Sequence, residues 1–323
     1  MSDPYYQTIK KSACSKVMGM RKKEQQITNR IQDSAEDKVL NAVVYVILGL
    51  LIVAISYPLI YVVSSSFSSG QAVSAGKVLL WPVEPTLTGY KIVFSYHQVW
   101  VGYANTILYT VSATALNIVL TVMAAYPLSR KNFQGRKYYM ILYMIPMFFS
   151  GGIIPTYILM SKLNLTDTRW AIILSSGISI YNMIIMRTFF QNSIPNDLYE
   201  AAKLDGISDL GYLFKIVIPL SKAIFAVITL YYAVAHWNAY FNAMMYLRQR
   251  ELYPLQLVLR DILSVSNIDL SQINDAELLA QMIGAADVMK HSLIVVSTVP
   301  ILVAYPFVQK FFEKGVMIGS VKG

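Results

Sequence analysis

The chain has 323 residues, of which 55% are hydrophobic and only 14% are Asp, Glu, Lys or Arg. Soluble domains carry about 25% charged residues, and a mean hydropathy of +0.48 points away from them as well. This balance excludes a cytosolic enzyme, a disordered chain and a secreted disulfide scaffold, and leaves a polytopic α-helical membrane protein. A single cysteine, Cys14, precludes an intramolecular disulfide. The three histidines, His97, His236 and His291, are scattered, and no HExxH or CxxC spacing supports a zinc site. Membrane topology explains the net charge of +9 better than nucleic acid does, because cytoplasmic loops collect Lys and Arg.

Residues 1–38 are polar and hold eight Lys/Arg, with no apolar stretch near the start. They read as a basic cytoplasmic tail and not as a signal peptide. Six apolar segments follow: Val39 to about Phe67, Tyr103 to Ser129, Tyr138 to Ser161, Trp170 to Met186, Ile216 to about Phe241, and Ser292 to Gln309. A bilayer core of about 30 Å takes roughly 20 helical residues, and backbone groups in lipid must be satisfied internally. Six transmembrane helices in residues 39–323 are therefore expected. A β-barrel would alternate in polarity, whereas Val43–Ile55 is continuously apolar.

Alternate connections differ in charge. The tail, 129–137, 187–215 and 310–323 together hold 18 Lys/Arg, the other three connections hold eight, and Lys222 lies within the fifth segment. The positive-inside rule then puts both termini in the cytoplasm. It places 68–102, 162–169 and 242–291 outside. The last of these is too long for a passive turn, and Asn274-Asp275 ahead of an Ala-Glu-Leu-Leu run reads as a capped helix leading into the sixth span.

The most informative stretch is Ser193–Leu220, the sequence SIPNDLYEAAKLDGISDLGYLFKIVIPL. Asp197 with Glu200 reads as a capping box, with Asn196 a second candidate cap. Gly206 after Asp205 reads as a left-handed stop, and Ser208 or Asp209 as the cap of a second helix that carries on into the fifth span. A short rigid helix is thus expected at the cytoplasmic surface, with Ala201 and Ala202 as a smooth face and Glu200 as a charge. By local chemistry alone this is an ordinary interfacial helix.

The spacing adds more. Glu200-Ala201-Ala202, Gly206, Ile216 and Pro219 follow the pattern EAA, three residues, Gly, nine residues, Ile, one residue, Leu-Pro, with Ile218 in place of Leu. This resembles the EAA loop in the permease subunits of bacterial binding-protein-dependent ABC importers. The flanking Ile194-Pro195, Asp205, Pro219-Leu220 and Trp237-Asn238 resemble the sugar-uptake branch. Six spans with both termini inside resemble the smaller maltose-type permease, as does the Gly-Ser-Val-Lys-Gly ending at 319–323. Tyr253-Pro254-Leu255-Gln256 and the 312–323 tail resemble the complex-oligosaccharide permeases of Gram-positive bacteria.

The resemblance covers roughly 39–323 and implies an all-α, type I importer permease in the bacterial cell membrane. Glu200, Ala201, Ala202, Asp205, Gly206 and Pro219 would form a coupling helix and its frame, docked on a cytoplasmic ATPase. Gly319, Lys322 and Gly323 would form a tail reaching the same partner. The implied assembly adds a second homologous permease, two ATPase copies that carry the ATP and Mg, and an extracellular solute-binding lipoprotein delivering a sugar. No cofactor, metal or nucleic acid is implied for this chain.

Other features are open to two readings. His236, Trp237, Asn238 and Asn242 at the end of the fifth span are an interfacial belt or a lining for the sugar path, and Tyr181 with Asn182 in the fourth span share that ambiguity. Pro146, Gly151, Gly152 and Pro155 predict a kink in the third span. Gly70–Lys77 fails the spacing of a phosphate-binding loop, so ATP hydrolysis would come from a partner. The lack of mid-membrane charge disfavours an ion-coupled carrier. It suits a neutral solute. The alternative of a non-sugar importer, for glycerol phosphate or peptides, is less favoured, because an anionic substrate would predict a basic residue along the path unless the partner permease supplies it.

Overall fold

The computed structural model describes residues 34–265 and 276–320, and every regular element among them is helical. The chain divides into two compact units, 1–58 and 59–323. The first unit, over its described residues, is the body of α1 (Ala35–Ser66) up to Pro58. A reciprocal capping box opens α1: Asp37 N donates to Ser34 Oγ at 3.1 Å, and Ser34 N to an Asp37 carboxylate oxygen at 3.0 Å. Apolar residues occupy the helix all round, the pattern of a membrane span.

In the second unit the post of the bundle is α4 (His97–Ser129), preceded by α2 (Gly70–Ser74) and α3 (Thr88–Ser95). The third apolar segment breaks into α5 (Arg136–Phe148) and α6 (Ile153–Lys162), bent by 111°. The bend falls at Gly151-Gly152, where Gly152 adopts φ +85. Pro155, in the first turn of α6, forfeits a donor that had no intrahelical partner.

The fourth segment is not one helix. It divides into α7 (Arg169–Leu174) and α8 (Ile180–Ser193) around Ser175–Ser179. Serine and glycine in a row favour such a break, and the Ser179 hydroxyl accepts from Asn182 N to start α8.

Two short helices precede the fifth span. These are α9 (Asn196–Leu204) and α10 (Asp209–Leu220). α10 does not run straight into the span, because it is bent by 83° against α11 (Lys222–Trp237) at Ser221. Pro219 lies two residues before this bend, and its ring would collide with the carbonyl four residues back in an unbroken α-helix. Just before it, α10 widens into a π-turn over Leu213–Val217, with Ile218 N bonded to Leu213 O.

Residues 242–265 fold into α12 (Phe241–Tyr246), a turn at Arg250–Leu252, and α13 (Leu255–Val265). α14 (Ala276–Ser320) is continuous for 45 residues and carries Pro300 and Pro306. The Asn274-Asp275 cap, Lys322 and Gly323 lie outside the described residues.

Among the described residues, by length and composition, three helices can cross a membrane unbroken, and up to five spans result when each bent pair counts as one. The largest core joins the second half of α4 to α8, α9, α10 and α11 through Ala125, Met183, Met186, Phe190, Tyr212 and Ile228.

Candidate functional site

Helix α9 is built differently at its two ends. It begins at Asn196 after Pro195, which offers no side-chain cap. The expected Asp197–Glu200 capping box does not form. Asp197 lies in the first turn, where a carboxylate complements the helix dipole. The other end is closed: Asp205 N bonds Ala201 O at 3.0 Å and Ile207 N bonds Ala202 O at 2.9 Å, with Gly206 at φ +73. This is a glycine-terminated helix. A Cβ at Gly206 would meet nothing within 4 Å, so the backbone angle alone demands glycine. Ser208 then caps α10, its hydroxyl accepting from Gly211 N at 3.1 Å.

The two alanines part company. Ala202 is only 4% exposed and belongs to the core, so it does not extend the smooth outer face that the sequence suggested. Glu200 and Ala201 are exposed, and Leu204 beside them is 90% exposed. Leu204 is thus a large apolar side chain bared beside the Glu200 charge. Leu204 went unnoticed in the sequence because helix rotation is not written in the EAA spacing.

The bundle interior holds a second constellation. Thr106, Thr110, Thr114, Asn117 and Thr121 recur at helical spacing and lie on the inner side of α4. Thr106 Oγ1 accepts from Leu255 N at 2.8 Å, whereas the buried Thr110 and Thr114 hydroxyls have no partner among the described residues. Asn117 and Thr121 serve the broken fourth segment. Asn117 donates to Ser176 O and bonds His236 Nε2 at 3.3 Å. Thr121 bonds the Tyr232 hydroxyl at 2.7 Å, and that hydroxyl accepts from Ser179 N at 3.0 Å. Asn242 donates to Ser175 Oγ at 3.0 Å. Side chains from three helices thus satisfy the break, as non-helical backbone at membrane depth requires. The i, i+4 threonine spacing was the available sequence signal.

Tyr232→Phe leaves Ser179 N and Thr121 Oγ1 unpaired. Unsatisfied buried groups cost about 1–3 kcal/mol each. We expect the melting temperature of purified Tyr232→Phe protein to fall and that of Tyr231→Phe, on the more exposed side of α11, to stay.

The four residues proposed for the sugar path have separate fates. Tyr181 is exposed and Asn182 buried. Trp237 Nε1 donates to Ser297 O at 3.1 Å, and its ring lies edge-on to Tyr103 at 6.4 Å. Asn238 Nδ2 donates to Val234 O at 2.9 Å. Trp237 therefore ties α11 to α14, leaving Tyr181 with the freest surface.

Asp167 latches the connection 163–168 to the segment after α12. Its carboxylate accepts from Arg248 N at 2.9 Å, Gln249 N at 3.1 Å and Gln249 Nε2 at 2.9 Å. The Arg248 backbone bond, then the two from Gln249, hold its pKa below the usual carboxylate value. A depressed pKa means that the stabilisation is complete above the unfolded value and is lost as pH falls through the folded one. Hydrogen-exchange protection of the Arg248 and Gln249 amides should persist on acidification until below the ordinary carboxylate range. Asp167→Ala should abolish it at neutral pH.

Residues 117–318 match the family described as the binding-protein-dependent transport system inner membrane component. A polygalacturonan/rhamnogalacturonan transport permease of Bacillus subtilis is 40% identical over 269 residues, covering 82% of this chain and 92% of its own. The chain belongs to this family. A second B. subtilis protein, LplC, is 39% identical over 82% of this chain and 89% of its own. Among solved structures, a chain of a bacterial ABC transporter involved in the import of the acidic polysaccharide alginate has a TM-score of 0.77 and 35% identity. It matches over 86% of this chain and 98% of its own. The protein is thus an ABC transporter permease of type I fold, embedded in the membrane. It is a transport subunit and not an enzyme.

Proposed function

We propose that this permease forms half of the membrane pathway of an ATP-driven importer for oligosaccharides. An extracellular binding lipoprotein delivers the sugar, a second homologous permease completes the pathway, and two copies of a cytoplasmic ATPase carry the ATP and Mg. The observation that carries the coupling role is α9: a glycine-locked helix with the EAA spacing that presents Glu200, Ala201 and Leu204 outward. Closure of the ATPase dimer pushes on this helix, and the spans respond by a shift between inward-open and outward-open states. Asp205, Gly206 and Pro219 set the frame, and Ala202 fastens the helix from inside. Gly319, Lys322 and Gly323 reach the same ATPase.

Six crossings with both termini in the cytoplasm fit the Lys/Arg distribution. The fourth is made by α7 and α8 across the break at 175–179. The segment 242–291 then faces outward, where it meets the binding protein.

Two relatives narrow the sugar. The 40% identical permease is named for polygalacturonan and rhamnogalacturonan, and the 35% identical structure for alginate, which are uronic-acid polymers. A galactooligosaccharide permease of B. subtilis is more distant, at 29%. We therefore assign an acidic oligosaccharide, in place of the neutral solute that the lack of mid-membrane charge suggests. Tyr181, exposed on α8, offers its ring and the exposed Asn238 its amide oxygen to the sugar, and the partner permease supplies the counter-charge. The test is uptake of labelled oligogalacturonides by cells with and without this gene. Uptake should vanish on deletion, return with the gene, and resist competition by maltodextrin. Uptake that is indifferent to the deletion, or is abolished by maltodextrin, would discard the substrate class.

A further inference from the structure

We propose that Arg130 is a positioning residue that clamps the coupling helix to the end of α4, so that the two move as one body. The proposal rests on the coupling role given above to α9. Arg130 caps the C-terminus of α4. Its guanidinium carbon lies 4.8 Å from the ring centroid of Tyr126, 5.0 Å from that of Tyr212 and 5.6 Å from that of Tyr199. Tyr126 belongs to α4, Tyr199 to α9 and Tyr212 to α10, so one cation touches three elements.

Among the described residues, Arg130 has no carboxylate within ion-pair distance, and its buried Nε and Nη2 have no hydrogen-bond partner. The aromatic faces hold the charge instead. The rings are themselves fixed. Tyr199 and Tyr212 meet edge to face at 5.2 Å. Tyr126 donates to Asp209 O at 3.0 Å and Tyr199 to an Asp209 carboxylate oxygen at 2.8 Å. The terminal carbonyls of α4 are also occupied: Leu128 O accepts from Arg187 Nε at 3.0 Å, which ties α8 to the same end.

This junction has a direction. Going outward, it leads to the exposed face of α9. Going inward, it leads along α4 to Asn117 and Thr121, which hold the break in the fourth span. A push on α9 is therefore delivered to the helix that braces the interior. A flexible ammonium cannot lie flat among three rings as a planar guanidinium does. A cation at a helix C-terminus also balances the dipole, and the Lys variant keeps that contribution.

The complete importer is reconstituted in nanodiscs with its ATPase and binding protein. Binding protein loaded with a polygalacturonan hydrolysate is used to stimulate ATP hydrolysis. Arg130→Ala should cut the stimulation about tenfold while assembly and basal hydrolysis stay within twofold of wild type. Arg130→Lys should recover less than half, and Arg130→Ala with Tyr199→Leu should be no worse than either alone. Undiminished stimulation in Arg130→Ala overturns the clamp, and so does full recovery by Arg130→Lys. A basal rate that falls in step with lost assembly makes the residue merely structural and overturns it too.

Glu200→Ala in the same assay separates the two claims. If it uncouples and Arg130→Ala does not, the clamp fails and the coupling role stands; if neither uncouples, both fail. A second readout needs no sugar. With Cys14 replaced, spin labels at the exposed positions 131 and 203 should keep one distance with and without ATP plus vanadate, and that distance should broaden in Arg130→Ala. A wild-type distance that shifts with nucleotide refutes movement as one body.

Discussion

Glu200→Ala in the assembled importer is expected to abolish sugar uptake and stimulated ATP hydrolysis while the protein still reaches the membrane. Glu200 is exposed on α9 and takes part in none of the ion pairs among the described residues. Truncating an exposed side chain away from special features changes stability by about 0.5 kcal/mol or less. The fold therefore survives, and the loss falls on whatever Glu200 meets. Removing one member of a charge pair buried in an interface costs roughly 2–5 kcal/mol, enough to reduce docking more than tenfold. Gly206→Val should give a similar phenotype by another route. Its side chain has free space, but φ +73 is costly for a branched residue, by roughly 1–2 kcal/mol, so the turn that ends α9 loosens. Unchanged stimulated hydrolysis in both variants would remove α9 as the point of force transfer.

The parts of this protein that were legible in the sequence are those that local chemistry decides. A continuous apolar run such as Val43–Ile55 has no alternative to a helix in lipid. The pair Gly151-Gly152 marks a bend that no neighbour needs to impose, and Gly206 marks a helix end. Breaks sustained from a distance were not legible. Trp170–Met186 reads as one span because its residues are mostly apolar, and what makes a break there tolerable is Asn117 and Tyr232, 59 and 53 residues away from their partners.

Arg130 shows the same limit. In the sequence it is one of four basic residues in a short connection, indistinguishable from Lys131 or Lys137. Its surroundings come from Tyr199 and Tyr212, which only the folding of α9 and α10 brings near. The EAA pattern identified the helix but not its rotation, so Ala202 was placed outside while packing puts it inside.

The largest purely structural effect is expected at the crossing of α14 and α2. A Cβ on Gly284 would lie 2.7 Å from the Gly70 carbonyl carbon, and one on Gly70 would lie 2.5 Å from that of Gly284. Both obstacles are backbone, so neither can rotate aside. Near this point α14 is also pinned to α2 by Ser74 Oγ donating to Asp287 at 3.2 Å, and to the end of α1 by Ser292 Oγ donating to Ser66 O at 3.3 Å. Gly89 is a weaker case. Its Cβ would meet Ser292 Oγ and Val288 Cγ1, side-chain atoms that can move, before it meets any backbone. Replacing glycine by alanine within a helix gains up to about 1 kcal/mol, whereas overpacking a tight contact costs about 1–3 kcal/mol and sometimes more. For Gly284→Ala the cost exceeds the gain, because α2 must separate from α14 before the methyl fits. Gly49 in α1 has nothing within 4 Å, so Gly49→Ala keeps only the gain. In purified protein the melting temperature should therefore fall by several degrees for Gly284→Ala, fall less for Gly89→Ala, and hold or rise for Gly49→Ala. If Gly284→Ala melts at or above wild type, the close backbone crossing at Gly70 does not exist in the folded protein.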